Sequence, residues 1–416
     1  MEGNIPKKPN LGNKLPAGHE LRWNPETQRW AIYPIPGYSQ MYLSRDKNHF
    51  VPKKNNEAKN LSSETSKSNN GEKIGSHLQK AKTEKNDEFY TRLDDISAEL
   101  KHYKSHFKDK VVYCPCDKVY KEGQSNFFVY FATFFEELGL KSLICTQYNP
   151  NPGEHGIKWV YNGGLSPEDV LDESKHETVF LKGDGDFLSE ECRQITKESD
   201  IVVSNFPFSL FRPFVAQVLE LNKKLLVIGN KNAITFKEIF PLIRENKLWL
   251  GYTVPEGFDQ PEGDEKKNLK GLTRWFTNLT HSKRKEGVDL VMKYEGREDK
   301  YPVYDNYDAI EIGHYTKTGK WEGSVNEIPY DYDGIMGVPI TFLDCYSPEQ
   351  FEIIGCTSAV GIAGVQARYP SDSFMNLVNA GKVRTGGTPG RAKPCFIDNQ
   401  GYANVGYHRV LIRRKK

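Results

Sequence analysis

Between residues 90 and 280 the hydrophobic positions fall into short unbroken runs separated by longer segments of mixed character. The runs are Val111–Tyr113, Leu143–Thr146, Thr178–Leu181, Ile201–Ser204, Leu225–Gly229, Leu248–Tyr252 and Thr273–Asn278. Strands of this length, apolar at successive positions, are buried on both faces. The intervening segments Leu93–Phe107, Phe127–Leu138, Ser189–Glu198, Leu210–Leu221 and Phe236–Glu245 space their apolar residues at helical intervals. Alternation of the two predicts an α/β domain over residues 84–285, Rossmann-like, with a mixed, mainly parallel sheet covered on both faces. Ligands of such sheets sit at the C-terminal strand ends, where Asn205 and the residues after Tyr113 fall.

The flanks read differently. Residues 18–51 concentrate aromatic and turn residues, with Trp23-Asn24-Pro25 and Trp30-Ala31-Ile32-Tyr33-Pro34, which predicts a small β-hairpin module within residues 1–55. Residues 56–83 are Lys, Asn, Ser and Glu with almost no apolar positions, the composition of a flexible linker. Residues 286–416 mix short strands, glycines and many tyrosines, and no repeat of solenoid period is visible.

The 416 residues are enough for two or three domains. No window approaches ~18 uninterrupted apolar residues, so no membrane span is expected, and residues 1–8 lack a signal peptide's apolar core. Seven scattered cysteines, with no Cys-x-x-Cys pair, support neither a disulfide framework nor a zinc site, and point to a reducing, cytoplasmic compartment. The net charge of +2 conceals an asymmetry. Residues 361–416 hold ten Lys or Arg against two acids, a local excess suited to a phosphate backbone.

The chemistry concentrates at Ile201-Val202-Val203-Ser204-Asn205-Phe206-Pro207-Phe208. Asn205 can accept a hydrogen bond through its side-chain oxygen. Pro207 fixes its own φ and holds Phe206 extended, so the Phe206 carbonyl can be aimed outward. Phe208 offers a ring for stacking. Two acceptors beside an aromatic plate suit the exocyclic amine of a flipped base; a plain turn with buried aromatics is the alternative. Three features accompany the motif: Asp87-Glu88-Phe89-Tyr90-Thr91 ahead of the sheet, Cys114-Pro115-Cys116-Asp117 after the first strand, and Gly183-Asp184-Gly185-Asp186-Phe187 after another. Acids and an aromatic placed this way meet the demands of S-adenosylmethionine. Asp117 as a cap, Asp184 and Asp186 as a turn, and Tyr90 as packing remain open.

In order and wording these stretches resemble the adenine-specific DNA methyltransferases of the EcoRI modification-methylase type. Further matching stretches are Ser125-Asn126-Phe127, Thr273-Arg274-Trp275-Phe276-Thr277-Asn278, Gly337-Val338-Pro339-Ile340-Thr341-Phe342-Leu343, Pro348-Glu349-Gln350-Phe351 and Arg409-Val410-Leu411-Ile412-Arg413-Arg414. The resemblance runs from about Lys85 to the C-terminus. It implies a class I methyltransferase domain followed by a basic target-recognition domain at 286–416, with Arg384, Arg391 and Lys393 available for phosphates. Phe89, Tyr90 and Thr91 would close the methionine end of the cofactor pocket. Cys114, Pro115 and Asp117 would lie beside the cofactor, and Asp186 and Phe187 would hold its adenine. Asn205 and the Phe206 carbonyl would bind the target amine, Pro207 would fix the loop, and Phe208 would stack on the flipped base.

The expected reaction is transfer of a methyl group from S-adenosylmethionine to N6 of adenine in double-stranded DNA, without a metal. It would serve restriction-modification or phage DNA protection. The protein would act as a monomer beside a separate restriction endonuclease. Two alternatives stay open: an RNA adenine methyltransferase, suggested by Asn-Phe-Pro-Phe, and a catalytically silent nucleic-acid-binding homologue.

Overall fold

The structure is a computed structural model that describes residues 19–24, 29–34, 90–119, 124–151, 153–172, 175, 179–259, 271–315, 321–323, 325–358, 366–384 and 387–416. It divides into two compact units, residues 1–68 and 69–416. Of the first, the described part is an antiparallel hairpin of His19–Asn24 with Arg29–Pro34, in which Trp23 is the register partner of Trp30. The linker expected at 56–83 lies outside the described residues, as does Phe89.

The second unit is built on an eight-stranded sheet. In chain order its strands are β1 (Val111–Pro115), β2 (Ser142–Gln147), β3 (Ile157–Tyr161), β4 (Val179–Phe180), β5 (Ile201–Ser204), β6 (Lys224–Asn230), β7 (Trp249–Leu250) and β8 (Thr273–Thr277). Across the sheet they run β7-β8-β6-β5-β1-β2-β3-β4. Strands β6, β5, β1 and β2 form a parallel centre. Strands β8 and β3 run antiparallel to that centre on either side. The mixed, mainly parallel sheet expected from the apolar runs is therefore present, with an extra strand. Ile157–Tyr161 was not foreseen, although Ile157, Trp159 and Tyr161 alternate with Lys158 and Val160 as period 2 requires.

Alternation along the central strands sends side chains to two cores. Val112, Cys114, Val203, Leu226 and Ile228 pack with helix α1 (Leu93–Leu100) and helix α2 (Asn126–Thr133). Tyr113, Val202, Leu225 and Val227 pack with helix α3 (Glu190–Glu198) and helix α4 (Phe211–Glu220). Serines at the N-caps of α2 and α3, Ser125 and Ser189, accept backbone amides and fix where these helices start. The long helix read at Leu93–Phe107 is interrupted by a 3-10 turn at Lys101–Tyr103, and that at Phe127–Leu138 breaks at Phe134.

The C-terminal part adds a four-stranded sheet of β9 (Ile310–Glu311), β10 (Met336–Pro339), β11 (Phe351–Cys356) and β12 (Arg409–Arg414), ordered β9-β10-β12-β11. Its inner face does not enclose a separate core. Ile310, Met336, Phe351, Val410 and Ile412 belong to the same cluster of buried side chains as Tyr113, Val202 and Phe214. The hydrophobic interior thus crosses residue 285 without interruption.

Candidate active site

Strand β1 lies between β2 and β5, and the chain leaves it in opposite directions, so the crevice of this sheet opens at the ends of β1 and β5. At the end of β1, Cys116 takes a left-handed conformation (φ +63°), uncommon for a residue with a side chain, and turns the chain at once. Asp117 is thereby brought back over the edge, its amide donating to the Thr146 carbonyl of β2 at 2.9 Å. Its carboxylate is buried, accepting from Ser125 Oγ at the start of α2 and from Ser204 Oγ at the end of β5 at 3.0 Å. The Ser204 hydroxyl shares its one hydrogen between this carboxylate and the Pro115 carbonyl at 2.6 Å. Burial pushes the Asp117 carboxyl up to about 7, against the two hydroxyls that favour its ionised form.

Asn205 follows Ser204 directly, so the Asp117–Ser204 bond ties the first-strand acid to the Asn205-Phe206-Pro207-Phe208 loop. Asn205, Pro207 and Phe208 are half-buried at the edge. The strand ends at Ser204, and Pro207 (φ −49°, ψ 127°) precedes a 3-10 turn, Phe208–Leu210, that leads into α4. The Phe206 ring faces inward, packed on Phe214 at 4.0 Å between ring centroids and on Phe211 and Phe187. That inward ring fixes the residue and leaves its carbonyl as the group able to serve the site. The Phe208 ring is partly buried against the opposite core.

The loop carrying Asp186 reaches the same edge from β4. Gly183 accepts from the Gly156 amide and Asp184 from the Asn149 amide, both at 2.8 Å, which seats the loop over the end of β2. Gly185 (φ +85°) permits the approach: a Cβ there would lie 2.6 Å from the Gln147 carbonyl oxygen. Asp186 is half-buried, and its Oδ1 accepts from the Leu188 amide at 2.9 Å. Tyr90–Thr91 pair antiparallel with Phe258–Asp259, and Asn126 Nδ2 donates to the Thr91 carbonyl at 2.7 Å, joining this pair to the start of α2. Among the described residues Thr91 Oγ1 is buried with no hydrogen-bond partner, which is costly unless a ligand completes it.

Two of the expected residues fall elsewhere. Cys114 is fully buried within β1, its thiol pushed up by burial and by neighbouring Cys145, so it belongs to the core rather than the edge. The Phe187 ring is likewise core, edge-on to Phe214 at 4.9 Å, and its carbonyl accepts from Gln217. Sequence reading missed Ser204 and the role of Ser125 as carboxylate donors; a hydroxyl at each strand or helix end facing the crevice was the available signal. It also missed Glu99 on α1. Glu99 is wholly buried, and its carboxylate accepts from the Tyr252 and Thr253 amides at 2.7 and 2.6 Å and from Tyr103 Oη at 2.7 Å. One turn earlier, Asp95 accepts from the Glu256 and Gly257 amides. Together they anchor the loop that leads into Phe258–Asp259. In the C-terminal part, Arg384 is engaged by Asp398 at 2.5 Å and lies over the Tyr402 ring at 4.3 Å.

A mixed sheet whose parallel centre ends in a buried acid beside an Asn-x-Pro-Phe loop fits the framework of an adenine-specific methyltransferase, and comparison with known proteins agrees. The family model described as adenine-specific methyltransferase EcoRI matches residues 77–415. The chain belongs to this family. The type II methyltransferase M.EcoRI of Escherichia coli is 42% identical over 301 residues, covering 67% of this chain and 88% of its own length. The type II methyltransferase M.MpnI of Mycoplasma pneumoniae is 37% identical over 298 residues, 67% of this chain and 85% of its own length. No solved structure matches the chain.

Proposed function

We propose that this protein is a site-specific DNA adenine N6-methyltransferase that uses S-adenosylmethionine and works on an adenine turned out of the duplex. The observation that carries the reading is the Asp117–Ser204 hydrogen bond, which holds Asn205 beside a buried acid at the crevice of the sheet. The strand order, with β8 antiparallel between β6 and β7, supports a Rossmann-like class I methyltransferase domain. Residues 286–416 are read as its target-recognition part.

The edge residues fit the cofactor. Thr91 Oγ1 is a buried hydroxyl lacking a partner among the described residues, and Asp117 is a buried carboxyl whose ionisation is disfavoured until a cation or further donors reach it. Thr91, Asp117 and Asp186 would hold S-adenosylmethionine, which when bound supplies an electrophilic methyl on a sulfonium. Asn205 Oδ1 and the Phe206 carbonyl would accept both hydrogens of the adenine amine and so orient its lone pair. Phe208 would cover the base. Pro207 removes a backbone donor from the loop and limits its freedom, so the acceptors are organised before the base arrives. Restriction-modification is the context proposed, with a separate endonuclease as companion.

Long-read sequencing of DNA from a methylation-deficient host expressing the protein tests this. N6-methyladenine at one short motif, lost in Asn205→Ala with the protein still folded, is the expected result. An unmarked genome despite stable wild-type protein would refute it.

A further inference from the structure

Strand β6 lies on the side of β5 away from β1, with Ser204 in register with Val227. Lys231, the first residue after β6, therefore flanks the Asn205 loop opposite Asp117. The turn that carries it is firmly held. The Lys231 amide donates to the Leu272 carbonyl at 2.7 Å, and Asn230 Oδ1 accepts from the Asn232 amide at 2.8 Å. The C-terminal part meets this turn: Ser358 Oγ donates to the Thr235 carbonyl at 3.2 Å.

Charge at this seam does not balance. Arg274 on β8 directs Nε and Nη2 to the two oxygens of Asp344 at 2.6 and 2.9 Å and Nη1 to the Thr273 carbonyl at 2.7 Å. Asp344 is thus engaged by Arg274, and Lys231 forms no ion pair among the described residues. It is half-buried, and burial together with the Arg274 charge lowers its pKa, only partly offset by the Asp344 carboxylate that Arg274 already engages. A partly desolvated cation next to a base-binding loop calls for an anion from the substrate.

We propose that Lys231 holds the backbone phosphate adjoining the extruded adenine, positioning the nucleotide while the Asn205 loop holds its base. A base held at the end of β5 has its own phosphates nearby, and β6 and the C-terminal part border the side away from Asp117. The inference rests on the reading of the protein as a DNA adenine methyltransferase.

A protein-by-DNA cycle tests it with the full-length enzyme. Wild type, Lys231→Gln and Lys231→Arg are assayed on the native duplex and on duplexes in which the 5′ or the 3′ phosphate of the target nucleotide is a neutral methylphosphonate. Lys231→Gln should lower kcat/KM on native DNA by about ten- to hundredfold, the usual effect of losing one charged hydrogen-bond partner, and Lys231→Arg should restore most of it. At one of the two phosphates, neutralisation should reduce wild type to the level of Lys231→Gln and leave that variant unchanged. Fluorescence of 2-aminopurine at the target position should show weaker extrusion in the same combinations. If neutralising either phosphate harms Lys231→Gln as much as wild type, the assignment is overturned while the methyltransferase reading stands. A folded wild type that leaves native DNA unmethylated overturns both. Thermal unfolding matches the variants to wild type, and Lys231→Met replaces Lys231→Gln should the latter not fold.

Discussion

Replacing Asp117 by asparagine probes the group that joins the two sides of the crevice. Burial raises the Asp117 carboxyl from its ordinary 3.8 to about 7. Folding therefore favours the protonated acid. The stabilisation linked to that proton is complete below about pH 4 and is lost as pH rises through about 7. From pH 8 to pH 5, wild type should gain about 2–3 kcal/mol that asparagine, with no proton to take up, cannot gain. Urea midpoints of both proteins at pH 5, 6, 7 and 8 would display this as a difference that widens toward acid. Parallel pH profiles would refute the argument, because they would mean that the carboxyl is solvated or paired with a cation. Adding S-adenosylmethionine at pH 8 supplies a second reading: the bound cation should stabilise wild type more than Asp117→Asn.

Arg274→Ala leaves the Asp344 carboxylate without its bidentate partner and should destabilise by about 3–5 kcal/mol in urea unfolding. Arg274→Lys should recover little, since an ammonium cannot reproduce the planar fork. Thr91→Val removes a buried hydroxyl that has no partner among the described residues. Its thermal stability should be equal to or above wild type, by up to about 1 kcal/mol, while S-adenosylmethionine affinity measured calorimetrically falls. Unchanged affinity would remove Thr91 from the cofactor wall.

The parallel centre of the sheet was legible because β1, β2, β5 and β6 are buried on both faces and so read as continuous apolar runs. The place of Asn205 was legible for a related reason, as the first amide side chain after such a run, at the C-terminal edge of the sheet. Asp117 was named, yet its environment was not. Its partners Ser125 and Ser204 lie 8 and 87 residues away, and the second contact exists only once β1 and β5 are paired. Cys114 and Phe187 show the opposite limit. Residues within a strand or beside an acid share the local wording of a site, while the pleat and the packing of α4 direct them into the core. Glu99 escaped notice because a glutamate on an amphipathic helix ordinarily faces water; here four donors from one loop and a tyrosine make its burial tolerable.

The continuity of the interior across residue 285 bears on how new specificities can arise in this family. Where recognition is carried by a separately folded module, it can be exchanged between relatives by recombination at a linker. Here a crossover at that position would place Val202 and Phe214 from one parent against Ile310, Met336 and Val410 from the other, inside a single packed cluster. Hybrids would inherit mismatched volumes at the centre of the molecule. With residues 286–416 as the proposed target-recognition part, change of target sequence is channelled into substitutions on their surface, or into exchange of loops that leave β9 to β12 intact.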